Sequence, residues 1–197
     1  KDSADSSRPA LDPVMQALSG VMAVTGDQRT GPLCAGIPVS DFITPVLATL
    51  GIVGALFARQ RDGHGQRIDI SMLNASIFSL MPRESYFLAT GKEPERLGNS
   101  HFQLVPYNAF KTRDGRSIMV IAHNNKFWQA LLDALVCADF VGDPRFATNA
   151  DRAKHREIVD TRFRERFATA DLETWIEKLT TADAIFAPIR SLAEVLT

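Results

Sequence analysis

The feature that most constrains this chain is an uncharged apolar run, residues 42–58, that follows a single carboxylate, Asp41. A helix that is apolar on nearly every side must be buried, either in protein or in lipid. A membrane span needs about 20 predominantly apolar residues, whereas this run has 17 and includes a proline and two glycines. The run therefore predicts a helix over about residues 42–60 that is buried in protein, with a membrane span as the alternative.

Asp41 has two interpretations at the start of such a helix. Aspartate is among the best N-cap residues, because its side-chain oxygen accepts hydrogen bonds from the unpaired N–H groups of the first turn. The same helix end stabilises an anion, and an ionised carboxylate can attack a carbonyl group without a general base. Pro45 falls in the first turn, where its missing N–H costs nothing. The residues alone leave capping and catalysis both open.

Composition and charge argue against several classes of partner and site. The 22 Lys and Arg residues nearly balance the 23 Asp and Glu residues, so the net charge of -1 gives no general attraction to nucleic acid or to an anionic membrane. Cys34 and Cys137 form no C-x-x-C pair, which argues against a disulfide framework and a zinc site. His64 and His123 have no partner at metal-ligand spacing, so we expect no metal. A reducing cytoplasm fits these features.

Both ends of the chain suggest a piece of a longer protein. The opening stretch KDSADSSRPALDP is polar and lacks both an initiator Met and an apolar segment, so we expect neither a signal peptide nor a complete native start. Near the other end, Ser191 is a fair N-cap, and Leu192 and Val195 begin a helical face. That predicted helix breaks off without a C-cap.

The first half of the chain predicts helices and one strand. A helix over residues 13–23 precedes the loop, rich in glycine and proline, that leads to Asp41. The segment RDGHGQ predicts a turn, and RIDISM alternates apolar and polar residues as a strand does. A second helix, from about residue 73 to 89, is expected to kink at Pro82 and to end at Gly91.

The second half predicts a compact α+β module. YNAFKT and RSIMVIA flank RDG, which is a hairpin signal. Asn124 or Asn125 caps the helix KFWQALLDALV, and Asp171 caps the helix DLETWIEKLTTA. AIFAPI predicts a short strand. A further helix carries four apolar residues that we expect on one face: Ile158, Val159, Phe163 and Phe167.

Two polar groupings are candidates for chemistry. Asp12 and Gln16 are four residues apart, so a helix would place a carboxylate and an amide on one face, either in a site or in solvent. The polar loop LGNSHFQ, residues 97–103, lies between the two halves, where substrate contacts are common, and His101 is a candidate base. The sequence contains no G-x-G-x-x-G, Walker or G-x-S-x-G motif. The residues alone therefore predict a soluble two-part α/β protein with one well-placed aspartate.

Six motifs in register resemble the family III CoA-transferases, a group that includes formyl-CoA and carnitine CoA-transferases and the α-methylacyl-CoA racemases. The motifs are RPALDPVMQALSGVMAVTG, G-x-P-V-x-D before the long helix, ARQRDGHGQRIDISML, YFLATGKEPERLGNSH, VPYNAFKTRDG and DPRFATNADRAKHR. Together they cover essentially the whole chain. The resemblance implies an enzyme that exchanges CoA between an acyl-CoA and a small carboxylic acid, with coenzyme A as substrate and no tightly bound cofactor.

The resemblance implies that Asp41 is the nucleophile. In the family, this aspartate attacks the acyl-CoA thioester to give an acyl-aspartyl anhydride and free CoA thiolate. The thiolate then forms an aspartyl-CoA thioester, and the incoming acid completes the exchange. Such covalent catalysis divides one hard transfer into several easier steps.

Other site residues carry over from the resemblance. Asp12, Gln16 and Met72 match positions near bound CoA. Four residues match a substrate loop that is glycine-rich in formyl-CoA transferase: Asn99, Ser100, His101 and Gln103. The loop reads NSHFQ in this chain, so the resemblance does not imply specificity for formyl-CoA and oxalate.

The resemblance also implies an architecture. Residues 1–90 would belong to a Rossmann-like α/β large domain that carries the catalytic helix, residues 91–104 would form a linker and active-site loop, and residues 105–197 would form a small α+β domain. Family members are longer and form interlocked homodimers, so this chain looks like a central fragment. No nucleic acid or membrane partner is expected. Two alternatives stay open: proton transfer of the racemase type, and a catalytically incomplete structural fragment.

Overall fold

The computed structural model describes residues 9–197, and the first eight residues of the polar opening stretch lie outside the described part. The chain divides into two compact units, with the boundary between Gly98 and Asn99. The helices of the first unit are α1 (Asp12–Ser19), α2 (Val21–Val24), α3 (Val39–Asp62), α4 (Met72–Phe78) and α5 (Arg83–Thr90). Loops connect them, and within residues 9–98 no strand forms.

The second unit contains a small antiparallel sheet and several helices. Its elements are β1 (Tyr107–Lys111), β2 (Ser117–Ile121), α6 (Asn125–Leu135), α7 (Asn149–Lys154), α8 (Arg156–Phe167), α9 (Leu172–Thr181), β3 (Ile185–Pro188) and α10 (Leu192–Leu196). The order in the sheet is β1-β2-β3, so β2 is central and pairs antiparallel with both neighbours. The predicted hairpin and the predicted short strand are therefore confirmed.

The core of the second unit is rich in aromatic side chains. Phe110 of β1 lies opposite Ile118 of β2, and both are buried in the cluster that the helices complete. Trp128 of α6 stacks on Phe163 of α8, with ring centroids 5.8 Å apart. Trp175 of α9 is fully buried, and its indole N–H donates to backbone carbonyl groups, so its burial leaves no polar atom unpaired. This unit thus has its own hydrophobic core.

Helix α8 corrects one detail of the predicted pattern. Val159, Phe163 and Phe167 are buried, as predicted, but Ile158 is exposed. The three buried residues follow one another at intervals of four, which keeps them on one helix face. Ile158 precedes Val159 directly and therefore points about 100° away from it.

Helix α3 is the long apolar helix, and the prediction that it is buried on every side is wrong within the described residues. Of its 24 residues only Ser40 is buried. Phe42, Leu50 and Phe57 are 72%, 69% and 70% exposed. By length and composition α3 could cross a membrane, although core helices of soluble proteins have the same composition. One side of the helix packs in the first unit, where Gly51 approaches Ile68.

The rest of the first unit differs from the prediction at three places. The expected helix over residues 13–23 is divided into α1 and α2 at Gly20, which has a φ of 91°. RIDISM does not form a strand, because a strand requires a neighbour with which to exchange hydrogen bonds and none pairs with it among the described residues. The helix expected over residues 73–89 is two helices, α4 and α5, and the latter ends at Gly91 as predicted.

Candidate active site

The start of α3 determines where Asp41 lies. The N-cap residue is Pro38, whose side chain makes no capping hydrogen bond, and Asp41 is the third residue of the helix. The hypothesis that Asp41 is the N-cap is therefore wrong. Its carboxylate still lies in the first turn, where the partial positive charge of the helix N-terminus favours an anion.

Asp12 supplies the cap that Pro38 lacks. Its Oδ1 accepts a hydrogen bond of 2.8 Å from the backbone N–H of Ser40, the second residue of α3. Its Oδ2 accepts one of 2.7 Å from the side-chain amide of Gln16. The prediction that Asp12 and Gln16 share a helix face is confirmed, and the solvent alternative is wrong, because the two residues are 8% and 1% exposed.

Gln16 also holds the loop that leads to α3. Its Oε1 accepts a hydrogen bond of 2.8 Å from the backbone N–H of Ala35. Its Nε2 lies 3.4 Å from the carbonyl oxygen of Ile37 and donates to it. The loop that leads to Asp41 is thus bonded to α1 at Ala35 and at Ile37.

A pair of buried serines connects the first turn of α3 to α4. The hydroxyl groups of Ser40 and Ser76 are 2.8 Å apart, and the Ser76 hydroxyl also lies 2.8 Å from the carbonyl oxygen of Met72. Because Ser76 has one hydroxyl proton, Ser40 can donate to Ser76 while Ser76 donates to Met72. Both serines are fully buried. Sequence reasoning missed them, since a small polar residue gives no periodic signal.

The Asp41 side chain faces solvent beside an apolar groove. The groove has a volume of about 420 Å³ and is lined by Asp41, Phe42, Pro45, Val46 and Thr49. Across residues 9–197 no group makes a hydrogen bond or an ion pair with the Asp41 carboxylate. An exposed and unpaired carboxylate at the edge of an apolar groove is able to reach an electrophilic carbon of a bound ligand.

Met72 is half-buried at the first residue of α4, following the N-cap Ser71. A second groove, of about 540 Å³, lies between the flank of α3 and the extended segment after it, and Ile52, Arg59 and Ile68 are among its lining residues. Met72 does not line it. The predicted contact of Met72 with CoA stays a prediction.

The predicted substrate loop belongs to the second unit. The backbone N–H groups of Gln103 and Leu104 both donate to His101 Nδ1, at 3.1 and 3.2 Å. The guanidinium of Arg156 donates to the carbonyl oxygen of His101. The His101 ring also stacks on Phe102, with centroids 4.6 Å apart. Nδ1 therefore serves as an acceptor within the loop, so a neutral His101 carries its proton on Nε2.

Cysteine and metal chemistry receive no support from the described part of the chain. Residues 9–197 contain no group of three or more His, Cys, Asp or Glu side chains that could hold a metal ion. Cys34 is exposed and Cys137 is buried, and both are free thiols. Burial raises the pKa of the Cys137 thiol, which disfavours the nucleophilic thiolate.

Comparisons with known proteins give a consistent result. The family model described as CoA-transferase family III matches residues 1–197. An acyl-CoA transferase of Fusarium pseudograminearum is 36% identical over 185 residues, which are 94% of this chain and 40% of that protein. The acetyl-CoA:oxalate CoA-transferase of Acetobacter aceti is 30% identical, over 94% of this chain and 48% of that protein.

A solved structure supports the same similarity. The crystal structure of a CAIB/BAIF family protein from Brucella suis matches 98% of this chain and 51% of that chain, with a TM-score of 0.86 and 27% sequence identity. The chain thus spans about half the length of the proteins that it matches, or somewhat less.

Proposed function

The chain belongs to CoA-transferase family III, and we propose that the complete protein transfers CoA between an acyl-CoA and a carboxylic acid through Asp41. The observation that carries this proposal is the state of the Asp41 carboxylate. It is exposed, unpaired among the described residues, and placed on the first turn of α3 at an apolar groove. Asp12 in the same unit is the contrast, because both of its oxygens accept hydrogen bonds and it is buried.

The proposed reaction begins when an Asp41 oxygen attacks the thioester carbonyl carbon of the acyl-CoA. Collapse of the tetrahedral intermediate breaks the C–S bond, releasing CoA thiolate and leaving an acyl-aspartyl anhydride. The thiolate attacks the aspartyl carbonyl, releasing the first acid and forming an aspartyl-CoA thioester. The acceptor carboxylate then attacks that thioester, which releases CoA thiolate and gives a new anhydride between the acceptor and Asp41. The thiolate attacks the acceptor's carbonyl carbon in this anhydride, which forms the new acyl-CoA and restores the Asp41 carboxylate.

A carboxylate is a weak nucleophile, so alignment must supply much of the rate. Holding two reacting groups in the correct geometry can contribute roughly 7–11 kcal/mol. The apolar side chains of Phe42, Pro45 and Val46 border the groove beside the carboxylate. A reacting group bound there would be partly shielded from water, which strengthens electrostatic stabilisation of the developing oxyanion.

Several finer features are part of the proposal. We assign a CoA contact to Met72 and substrate contacts to the loop that contains Asn99, Ser100, His101 and Gln103. We assign no CoA contact to Asp12 or Gln16, because their side chains are buried and bonded within the first unit. We also propose a cytoplasmic homodimer with the interlocked form and a Rossmann-like layer in the large domain. Similar proteins are named for dicarboxylic acids, including oxalate and glutarate. Such acids are therefore the first acceptors to assay.

The test uses oxygen-18 in the acceptor acid. Transfer of label into the Asp41 side chain, detected by peptide mass spectrometry, is the expected result, and Asp41→Asn should abolish CoA transfer. Asp62→Asn is the matched control, because Asp62 is the carboxylate at the other end of the same helix and pairs with Arg61. Full transfer activity of Asp41→Asn would overturn the proposal. Exchange of the α-hydrogen in deuterated water, without acyl transfer, would instead support the racemase alternative.

A further inference from the structure

We propose that Asp12 and Gln16 are positioning residues for Asp41, which means that they set the direction of the nucleophile through the backbone. This inference rests on the proposed role of Asp41. Neither side chain contacts Asp41 itself: Asp12 bonds to the N–H of Ser40, and Gln16 bonds to the loop before α3. Their effect on catalysis therefore passes through the first turn of the helix.

The Asp12 carboxylate lies between the N-termini of two helices. It is the first residue of α1 and also accepts from the second residue of α3. Both of its oxygens are used, one by Ser40 and the other by Gln16. A buried carboxylate is costly unless it is bonded, and two helix N-termini add favourable partial charge. One anion thereby fixes the orientation of α3 relative to α1.

Gln16 and Ser76 complete the restraint on the nucleophile. Gln16 bonds to Ala35 and Ile37 on the N-terminal side of α3, while the Ser76 hydroxyl meets the Ser40 hydroxyl from α4. The residue directly before Asp41 is thus held through both its N–H and its side chain. Only the side-chain torsions of Asp41 remain free, and rotation about them can bring the carboxylate to the thioester. This is the arrangement that alignment-driven catalysis requires.

The hydrogen bond from Gln16 to Asp12 allows a test in which the donor and acceptor side chains are exchanged. In Asp12→Asn, the new amide can accept from Ser40 N–H, but its NH2 group then faces the NH2 group of Gln16. In Gln16→Glu, two carboxylates face each other. In the double variant Asp12→Asn/Gln16→Glu, the introduced amide accepts from Ser40 and donates to the introduced carboxylate, which still accepts from Ala35. Only the long contact to Ile37 is lost.

The experiment measures kcat and KM for CoA transfer in the complete protein, together with hydrogen exchange at the Ser40 amide. We expect each single variant to lower kcat about tenfold or more with KM for acyl-CoA changed less than about threefold, and the double variant to recover most of kcat. Protection of the Ser40 amide should fall and recover in parallel. Ser19→Ala is the matched control, because Ser19 is a buried polar residue of α1 whose hydroxyl donates within its own helix.

Three results would overturn the inference, and they are distinguishable from failure of the proposed function. If Asp41→Asn is inactive while Asp12→Asn and Gln16→Glu keep wild-type kcat, positioning is refuted and the function of Asp41 stands. If kcat in the single variants falls only as much as the folded fraction measured by thermal unfolding, or if the double variant fails to recover, the two residues are merely structural. If Asp41→Asn retains activity, both proposals fail together.

Discussion

Asp160 of α8 is a buried carboxylate whose ionisation opposes folding. Its Oδ2 accepts from the side-chain amide of Asn108 at 3.2 Å, whereas its Oδ1 is buried with no hydrogen-bond partner in the described part of the chain. Burial raises the pKa of Asp160, and this outweighs the Asn108 hydrogen bond and the charges of Arg156 and Arg164. At pH values between the ordinary carboxyl pKa and the raised one, the folded state therefore holds a proton that the unfolded state has released.

We predict that Asp160→Asn removes a pH-dependent loss of stability. Above the ordinary carboxyl pKa of 3.8, the unfolded chain is ionised at this position while the folded chain still resists ionisation. Wild-type stability should consequently fall, relative to the variant, as pH rises from that value through the raised one. Urea unfolding of the two proteins at a series of pH values between about 4 and 7 measures the difference.

Asp151 provides a control of opposite sign. The pKa of Asp151 is lowered by two hydrogen bonds to its carboxylate. The larger effect comes from the Thr148 hydroxyl and the next from the Lys154 ammonium. Its contribution to stability is present above the ordinary pKa and is lost as pH falls through the lowered one. Asp151→Asn should therefore lose stability near neutral pH. If Asp160→Asn and wild type show parallel pH profiles, the interpretation of Asp160 is wrong.

Residues of the candidate site were predictable to different extents. The spacing of Asp12 and Gln16 indicates a shared helix face, and Asp41 stands out because it precedes the uncharged run. The contact between Ser40 and Ser76 spans 36 residues, and no local pattern points to it. The same limit explains why the sequence offers Asp41 as a candidate cap of α3, whereas the actual cap comes from a different helix.

At the scale of single elements, the cap of α6 gives a direct prediction. Asn124 and Asn125 are both candidate caps in the sequence. In the structure the cap is Asn124, whose side chain accepts from the Phe127 N–H at 3.1 Å. Asn124→Ala should destabilise the protein by about 1 kcal/mol, whereas Asn124→Asp retains the acceptor and should cost little. Urea unfolding measures both. Equal losses in the two variants would show that the cap is not the cause.

The elements that sequence predicted well are those that local chemistry determines. The hairpin between β1 and β2 needs only a turn and two alternating strands, and α5 ends at a glycine, Gly91, whose φ is 67°. The failed strand at RIDISM is different, because strand formation depends on a partner that is distant in sequence or absent from the described residues. The exposure of α3 has the same origin: periodicity predicts an apolar helix but not what covers it.

At the scale of the whole molecule, the two units differ in how much of their apolar surface is buried. The second unit buries a continuous cluster that includes Phe110, Trp128 and Trp175. In the first unit, a stripe along α3 points outward and consists of Phe42, Val46, Leu50, Val53 and Phe57. Residues at intervals of three and four form one helix face. Contiguous exposed apolar surface of this kind marks an interaction site or a site of association.

We therefore predict different behaviour for the two parts in isolation. Residues 99–197 should sediment as a folded monomer, because their core is internal, whereas residues 1–197 should associate in a concentration-dependent manner through the α3 stripe. Leu50→Glu should weaken association about tenfold or more, since burying a leucine contributes roughly 1.5–3 kcal/mol. Leu192→Glu is the matched control, because Leu192 is equally apolar and exposed but lies in the second unit.

The same experiment distinguishes cover of the α3 stripe by protein from insertion of the helix into a membrane. If protein contacts cover the stripe, association depends on protein concentration and is unchanged by uncharged phosphatidylcholine vesicles, and Leu50→Glu reduces it while Leu192→Glu does not. If the helix is a membrane element, residues 1–197 float with the vesicles instead of associating with one another. A monomer that neither associates nor floats would contradict the prediction, since the apolar stripe of α3 would then be stable in water without a cover.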